Sequence, residues 1–394
     1  MSDQLTAAKG VAITTLKLDH FRNYDSLRLA CDARHVVLTG ENGSGKTNLL
    51  EAISFLSPGR GLRRTSYDQV AKAEKSDGGD GPRSGTWAVH AQLDTPAGDL
   101  TIGTGLQRGP NGVDGQRRIT INGAAKRTSD DLLERLRVVW LVPAMDGLFT
   151  GPTSDRRRFL DRLVLAIDPG HGRRVNDYER AMRSRNKLLD ENRMDDSWLG
   201  GIEAQLAEQG TAIAFARAEL VGLLAEHATG DDDTPFPSAR LLLEGALEEE
   251  IAGGAVSAVD LEDRFRERLA SNRYRDRAAG RTLEGPHRSN LAVVHAPKNM
   301  AAALCSTGEQ KALLTGLVLA HARLVSKLSG IAPILLLDEC AAHLDAQRRA
   351  ALFDLIDTIG CQAWMTGTDA PLFDALQNRA QYFTVDDGTV RASP

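Results

Sequence analysis

The residues Gly40-Glu41-Asn42-Gly43-Ser44-Gly45-Lys46-Thr47 fit the pattern G-x-x-x-x-G-K-[ST], a spacing suited to holding phosphates. Glycines at 40, 43 and 45 let the backbone curl until successive N–H groups point at phosphate oxygens, and the helix that opens behind them adds its dipole. Lys46 would reach the β- and γ-phosphates, and the Thr47 hydroxyl would ligate Mg²⁺. The setting agrees: an apolar strand at Val36–Leu38 precedes the loop, and Asn48–Leu56 reads as a helix buried through Leu49, Leu50, Ile53 and Leu56. Far along the chain, a second apolar strand, Ile334–Leu337, ends in Asp338-Glu339. That is the companion Walker B pattern: Asp338 holds the Mg²⁺ hydration shell and Glu339 polarises the attacking water. Lys46, Asp338 and Glu339 are the catalytic candidates, Thr47 and Asp338 the metal candidates. ATP and Mg²⁺ are the ligands this chemistry requires.

Between the two lies Ser306-Thr307-Gly308-Glu309-Gln310-Lys311, at the start of a helix with an apolar face of Leu313, Leu314, Leu317, Leu319 and Leu324. Ser306 and Glu309 have capping-box spacing, a structural account sufficient in itself. Gly330 and Pro333 close the helix. Yet Ser-x-Gly-x-Gln about thirty residues ahead of a Walker B resembles the signature motif of ABC-type ATPases, which binds the γ-phosphate held by the opposite subunit. One helix end can serve both purposes, since a hydroxyl, a glycine N–H and a helix dipole all suit an anion. Ala341-Ala342-His343-Leu344-Asp345 then falls where that family has its D-loop, with His343 a surface residue and not a base. Trp364-Met365-Thr366-Gly367-Thr368-Asp369 ends a strand at the switch position, where transporter ATPases carry a histidine.

These motifs need a scaffold. The chain has 394 residues, enough for two or three domains and a core without disulfides. Hydrophobic residues at 42% and charged residues at 26% are ordinary globular values. The four cysteines form no Cys-x-x-Cys pair, and no run approaches the ~18 apolar residues of a membrane span. Met1–Gly10 lacks a signal pattern, so the expected setting is the reduced cytoplasm, with no membrane partner. With 48 Lys+Arg against 53 Asp+Glu, the net charge of −5 argues against nucleic-acid binding over the whole surface. Any such contact must be local.

The first part reads as strands, including Val11–Leu18, Ser26–Leu29, His35–Thr39 and the alternating Trp87, Val89, Ala91, Leu93. Asn122-Gly123 marks a hairpin turn after Arg118–Ile121. Lys75–Gly85 has loop composition. From Ser154 to Glu284 helical spacing takes over: Leu160, Leu163, Val164 and Ile167, then Tyr178 and Met182, then Ile202 through Leu224, and last Leu261, Phe265 and Leu269. Gly230–Pro237 reads as a loop. No sustained heptads and no internal repeat appear. After Leu291, strand and helix alternate again. The expected fold is α/β, an ABC/SMC-type P-loop head of mixed sheets split by an inserted α-helical arm: head over 1–153, arm over 154–284, head again over 285–394.

Taken together, the chain resembles the RecF family of bacterial recombination-mediator ATPases, relatives of the SMC proteins. The strings that carry this are Leu18-Asp19-His20-Phe21-Arg22-Asn23-Tyr24, the Gly40–Thr47 loop with Asn48-Leu49-Leu50-Glu51-Ala52, Gly59-Arg60-Gly61-Leu62-Arg63-Arg64-Thr65, Gly151-Pro152 with Arg156-Arg157-Arg158-Phe159-Leu160-Asp161, Gly285-Pro286-His287-Arg288, the Ser306 signature and Leu337-Asp338-Glu339. The chain departs from the family at Ser289-Asn290, where an acidic pair is common, and at Pro143–Asp146, a stretched loop. The resemblance implies an ATP-dependent homodimer at single-strand gaps and junctions, a slow, DNA-stimulated ATPase used as a switch. It further implies partners of the RecR and RecO type, RecA loading, a role in replication restart and the SOS response, and a place on the nucleoid. It adds Arg22, Asn23, Ser306, Gly308, Gln310 and Asp345 to the nucleotide-binding candidates. Arg60, Arg63, Arg64, Arg156, Arg157 and Arg158 are candidates for DNA phosphates. Arg264–Arg281 is interleaved with acids like a solvated helix face, so DNA binding, without sequence readout, rests mainly on the resemblance. The alternatives are a transporter's nucleotide-binding subunit, disfavoured by the long helical insertion and the missing histidine, and an SMC-like coiled-coil nuclease partner, which needs long heptads.

Overall fold

The computed structural model describes residues 10–76, 79–83, 85–107, 115–191, 195–228, 235–254 and 256–393. The chain divides into two compact units, one of Met1–Asp146, Asp233–Phe236 and Leu314–Pro394, the other of Gly147–Asp232 and Pro237–Leu313.

The first unit is built on two six-stranded sheets. Strands that alternate in sequence form an antiparallel sheet in the order Tyr24–Ala30, Ala12–Phe21, Trp87–Asp94, Leu100–Leu106, Arg117–Ile121, Ala124–Lys126. Trp87–Asp94 buries every second residue, as a sheet with one wet face requires. Asn122 and Gly123 both take positive φ (49° and 76°) and turn the last hairpin. The other sheet runs Val138–Leu141, Ile334–Leu337, Ala363–Gly367, His35–Thr39, Ala380–Asp386, Thr389–Ala392. Its first five strands are parallel, and the first four are buried at every position, which is why they read as unbroken apolar runs. The P-loop helix, Lys46–Ser54, contributes Leu49, Leu50 and Ile53 to a core shared with both sheets. Phe21, Phe55 and Trp87 meet there with centroids 5.0–6.0 Å apart, Phe21 edge to face with each of the other two.

In the second unit, helices Thr153–Leu165, His171–Asp190, Asp196–Ala228 and Ala258–Ser271 follow the expected apolar spacing. Tyr178, Leu206, Ile213, Leu261, Phe265 and Leu269 form their core. Arg185 is wholly buried and bonded to Glu203, Asp276, Thr282 and the Leu269 carbonyl, so a charge is taken out of water only because every face of it is paired.

Three features differ from expectation. A strand at Ala239–Glu244 interrupts the helical stretch and pairs antiparallel with Asn290–His295, which in turn pairs with Met300–Ala301. That pairing groups 285–313, expected with the head, in one compact unit with the helices. Within Lys75–Gly85, Ala73–Ser76 and Gly79–Arg83 pair as strands in place of a loop; residues 77, 78 and 84 lie outside the described residues. Most of the Gly230–Pro237 loop, residues 230–234, also lies outside them. Among the described residues one helix, Thr307–Ser329, is long and apolar enough to cross a membrane by length and composition, but 67% of its apolar window is buried, as in a core helix.

Candidate nucleotide-binding site

Two parallel strands of one sheet bring the motifs together. His35–Thr39 delivers the glycine loop, and Ile334–Leu337, one strand removed across Ala363–Gly367, delivers the carboxylates. Gly40, Gly43 and Gly45 all have positive φ (144°, 84° and 116°), a course that L side chains disfavour. At Gly45 the constraint is double, because a Cβ would lie 2.5 Å from the Asn23 amide and 2.8 Å from the Tyr24 hydroxyl. Those two residues brace the loop: Asn23 donates to the Ser44 carbonyl (3.1 Å) and accepts from Asn48 (2.7 Å), and Tyr24 donates to the Gly45 carbonyl (3.0 Å).

Lys46 folds back across the loop, donating to the carbonyls of Gly40 (2.7 Å) and Glu41 (2.8 Å). Burial pushes its ammonium below the ordinary lysine value, while the carboxylates of Glu339 and Asp338 pull the other way. The Thr47 hydroxyl donates to both oxygens of Asp338 (2.9 and 3.1 Å), and Thr366 donates to Asp338 from the intervening strand (2.8 Å). Thr366 also accepts the Glu339 N–H (2.8 Å), which supports Glu339 in the left-handed region at φ 53°. A cavity of about 260 Å³ lies against Gly43, Lys46, Thr47, Asn48, Arg63 and Glu339.

The residues present suit a nucleotide phosphate and a hard cation. The buried Ser44 hydroxyl has no hydrogen-bond partner, which leaves a donor inside the loop for a ligand. Thr47 and Asp338 offer only oxygen ligands. Among the described residues, no group of three or more His, Cys, Asp or Glu could hold a metal.

Several candidates are placed differently from their assigned roles. Arg22 does not face the cavity: its guanidinium grips Glu51 in bidentate fashion (2.8 and 2.7 Å) and also bonds Thr65 and the Gln69 carbonyl. Arg63, a DNA candidate, instead lines the cavity and bonds the same Glu51 and Asn48. Glu51 is fully buried, and a charged position on the same stretch as Leu49, Leu50 and Ile53 was the sequence signal for it. Arg22→Met should cost about 3–5 kcal/mol in urea unfolding, because it strips a buried carboxylate of its bidentate partner. Converting Glu51 to Met in the same chain should recover much of the loss. An unchanged midpoint would mean that Arg63 alone satisfies Glu51.

The signature residues lie in the second unit. Ser306 closes the capping box with Glu309: its N–H and hydroxyl both donate to the carboxylate (2.9 Å each). Gln310 is turned inward, bonding the Cys305 carbonyl (2.9 Å), so it stiffens the loop and presents nothing outward. Ser306 and Gly308 are exposed, and a Cβ at Gly308 would meet nothing within 4 Å. Asp345 caps the helix Ala346–Ile359 by accepting from the Arg348 N–H (2.8 Å). Thr368 donates to Asp369.

Among the remaining DNA candidates, Arg156 bonds Asn290 and the Gly151 carbonyl, Arg157 bonds the Ser289 carbonyl, and Arg158 pairs with Asp155. Arg60 and Arg64 are exposed. Ser289 accepts from Arg217 (2.7 Å), whose carboxylate partner is Asp161, and Asn290 donates to Glu244; the uncharged pair is thus used as hydrogen-bonding structure. Thr366 and Tyr24 escaped sequence reasoning. Thr366 stood within the switch string Trp364–Asp369, and its hydroxyl in a fully buried strand was the signal to read.

Comparison with known proteins agrees with this geometry. The family model for the RecF/RecN/SMC N terminal domain matches residues 12–391. The chain is 60% identical over 379 residues to a DNA replication and repair protein RecF from Mesorhizobium japonicum, covering 96% of this chain and 97% of that protein. The corresponding protein of Brucella suis is 60% identical over 380 residues, covering 96% and 95%. Among solved structures, a recombination mediator protein RecF of the RecFOR pathway, described as RecF-ATPrS, superposes with a TM-score of 0.81 at 21% identity over 98% of this chain and 100% of that one. The Smc head domain from Pyrococcus furiosus gives 0.51 at 16% identity, covering 97% and 96%. The fold is therefore that of an ABC/SMC-type ATPase head, and the chain belongs to the RecF family.

Proposed function

We propose that this protein is an ATP-switched DNA-binding protein of recombinational repair and replication restart. The observation that carries the reading is the joined Walker pair, Thr47 bonded to Asp338 beneath a glycine loop with an unsatisfied Ser44 hydroxyl. In this reading the loop N–H groups and Lys46 neutralise the β- and γ-phosphates of ATP. Lys46 exchanges its two carbonyl partners for phosphate oxygens as it does so. Glu339, held by Thr366 at the cavity wall, accepts a proton from the attacking water. Mg²⁺, held by Thr47 and through water by Asp338, would add charge neutralisation at the phosphates.

Ser306 and Gly308 act on the γ-phosphate bound by a second copy of the chain. An exposed hydroxyl and a glycine with no packing need of its own within the chain support this assignment. Two copies closing on ATP then clasp DNA at single-strand gaps or junctions, and slow, DNA-stimulated hydrolysis releases it. The reading extends to supply of RecA to single strands, partners of the RecR and RecO type, an SOS role and a cytoplasmic, nucleoid-bound location, as the family resemblance implies; the DNA replication and repair name of the relatives supports it. Arg60 is an exposed candidate for DNA phosphates, while Arg63, Arg64, Arg156, Arg157 and Arg158 are also engaged within the chain. The long helical insertion and the membership of the RecF family leave the transporter reading without support.

The test is equilibrium binding of a gapped duplex with and without ATP over a salt series. Binding should be stimulated by ATP, with log affinity falling against log salt by about 0.7–0.9 for each phosphate contacted. Binding that is indifferent to both ATP and salt would exclude the reading.

A further inference from the structure

The signature loop contains an electrostatic conflict. Ser306 is to meet a phosphate, yet its hydroxyl and N–H both donate to the Glu309 carboxylate at 2.9 Å. An incoming γ-phosphate would therefore meet a second anion at the same helix end. The structure also holds a cation against that anion: the Lys298 ammonium forms an ion pair with Glu309. Lys298 comes from the short turn between the strands Asn290–His295 and Met300–Ala301, outside the signature itself. The turn is well fixed. The His295 ring accepts the Lys298 N–H (3.3 Å), and the following Asn299 takes the left-handed conformation.

We propose that Lys298 is a positioning residue for the nucleotide-bridged dimer, neutralising Glu309 so that Ser306 and Gly308 can approach the partner copy's γ-phosphate. This deepens the proposed in-trans site and rests on it. Lys298 touches no substrate in this account; it acts through Glu309. The pairing holds the Glu309 carboxyl at about 2, with Lys298 the largest cause and Ser306 next, so the acid is ionised at every working pH and cannot escape the conflict by protonation. Stability does not explain the pair, because the Lys298 and Glu309 side chains are 49% and 28% exposed and such surface pairs contribute little to folding. The capping box also does not need it. Glutamine makes the same cap as glutamate, so the box needs no charge at position 309.

The experiment measures ATP-dependent dimerisation by sedimentation for four proteins at low and high salt: the parent, Lys298→Met, Lys298→Met with Glu309→Gln, and Lys298→Arg. Lys298→Met should weaken dimerisation roughly tenfold or more at low salt, with the loss shrinking as salt screens the exposed Glu309. The double variant should regain parental affinity, since no anion is left to neutralise, and Lys298→Arg should behave as the parent. Thermal midpoints should stay close together across the set. If the parent does not dimerise with ATP, the in-trans reading itself fails. If the parent dimerises and Lys298→Met does so equally well, or if the double variant stays as weak as Lys298→Met, the role given to Lys298 is wrong.

Discussion

Glu339→Gln should leave ATP binding intact and reduce turnover by roughly 10²–10⁴-fold, the usual contribution of a positioned general base. The substitution keeps the shape of the side chain. It also leaves untouched the backbone N–H bond to Thr366 that fixes residue 339 in its left-handed conformation. Only the capacity to take a proton is lost. Binding and hydrolysis therefore separate, and a protein that binds but cannot hydrolyse should accumulate as the ATP-bound dimer. Isothermal calorimetry, a phosphate-release assay and sedimentation read the three quantities. Unchanged turnover would mean that another group activates the water.

The second large effect is expected at the signature. Ser306→Arg should leave nucleotide affinity of the monomer near the parent's, because Ser306 does not line the P-loop cavity. Dimerisation should be abolished, since a long cation would fill the space where an exposed hydroxyl and the open Gly308 are to receive a phosphate. ATP-stimulated DNA binding should fall with it. If Ser306 is only a helix cap, the outcome is different: a loss on the order of 1 kcal/mol in folding stability, with dimerisation retained. Circular dichroism and sedimentation on the same sample distinguish the two.

The legible parts of this molecule were those whose information is local. Gly40–Thr47 carries its own turn chemistry, and the buried parallel strands announce themselves as short apolar runs because both faces are covered. The helices of the second unit followed from apolar spacing, and the Asn122-Gly123 turn from its dipeptide. What escaped notice depends on pairings remote in sequence. Thr366 reaches Asp338 across 28 positions, and Arg22 reaches Glu51 across 29. The family string containing Arg22 suggested ligand contact, but the fold spends that guanidinium on a buried carboxylate instead. In the same way, Arg156 and Arg157 read as a basic cluster, although hydrogen bonds to Asn290 and the Ser289 carbonyl engage some of their donors. Charge runs show where cations lie along the chain; only the packed structure shows which are already committed. The strand at Ala239–Glu244 escaped for a related reason, because its leucines lie among helical segments and its pairing partner Asn290–His295 is remote in sequence.

The central claim is that one ATP site is shared by two copies of the chain, and a mixture of two inactive variants tests it most directly. Lys46→Ala removes the cation that neutralises the phosphates from within its own loop; Ser306→Arg removes the contact offered to the neighbour. In a mixed dimer, one composite site carries both defects and the other is whole. Turnover is measured for each variant alone and for the mixture. The account predicts that both are inactive alone and that mixing restores a fraction of parental ATP hydrolysis. Ser306→Arg dimerising and hydrolysing ATP by itself as the parent does would contradict it.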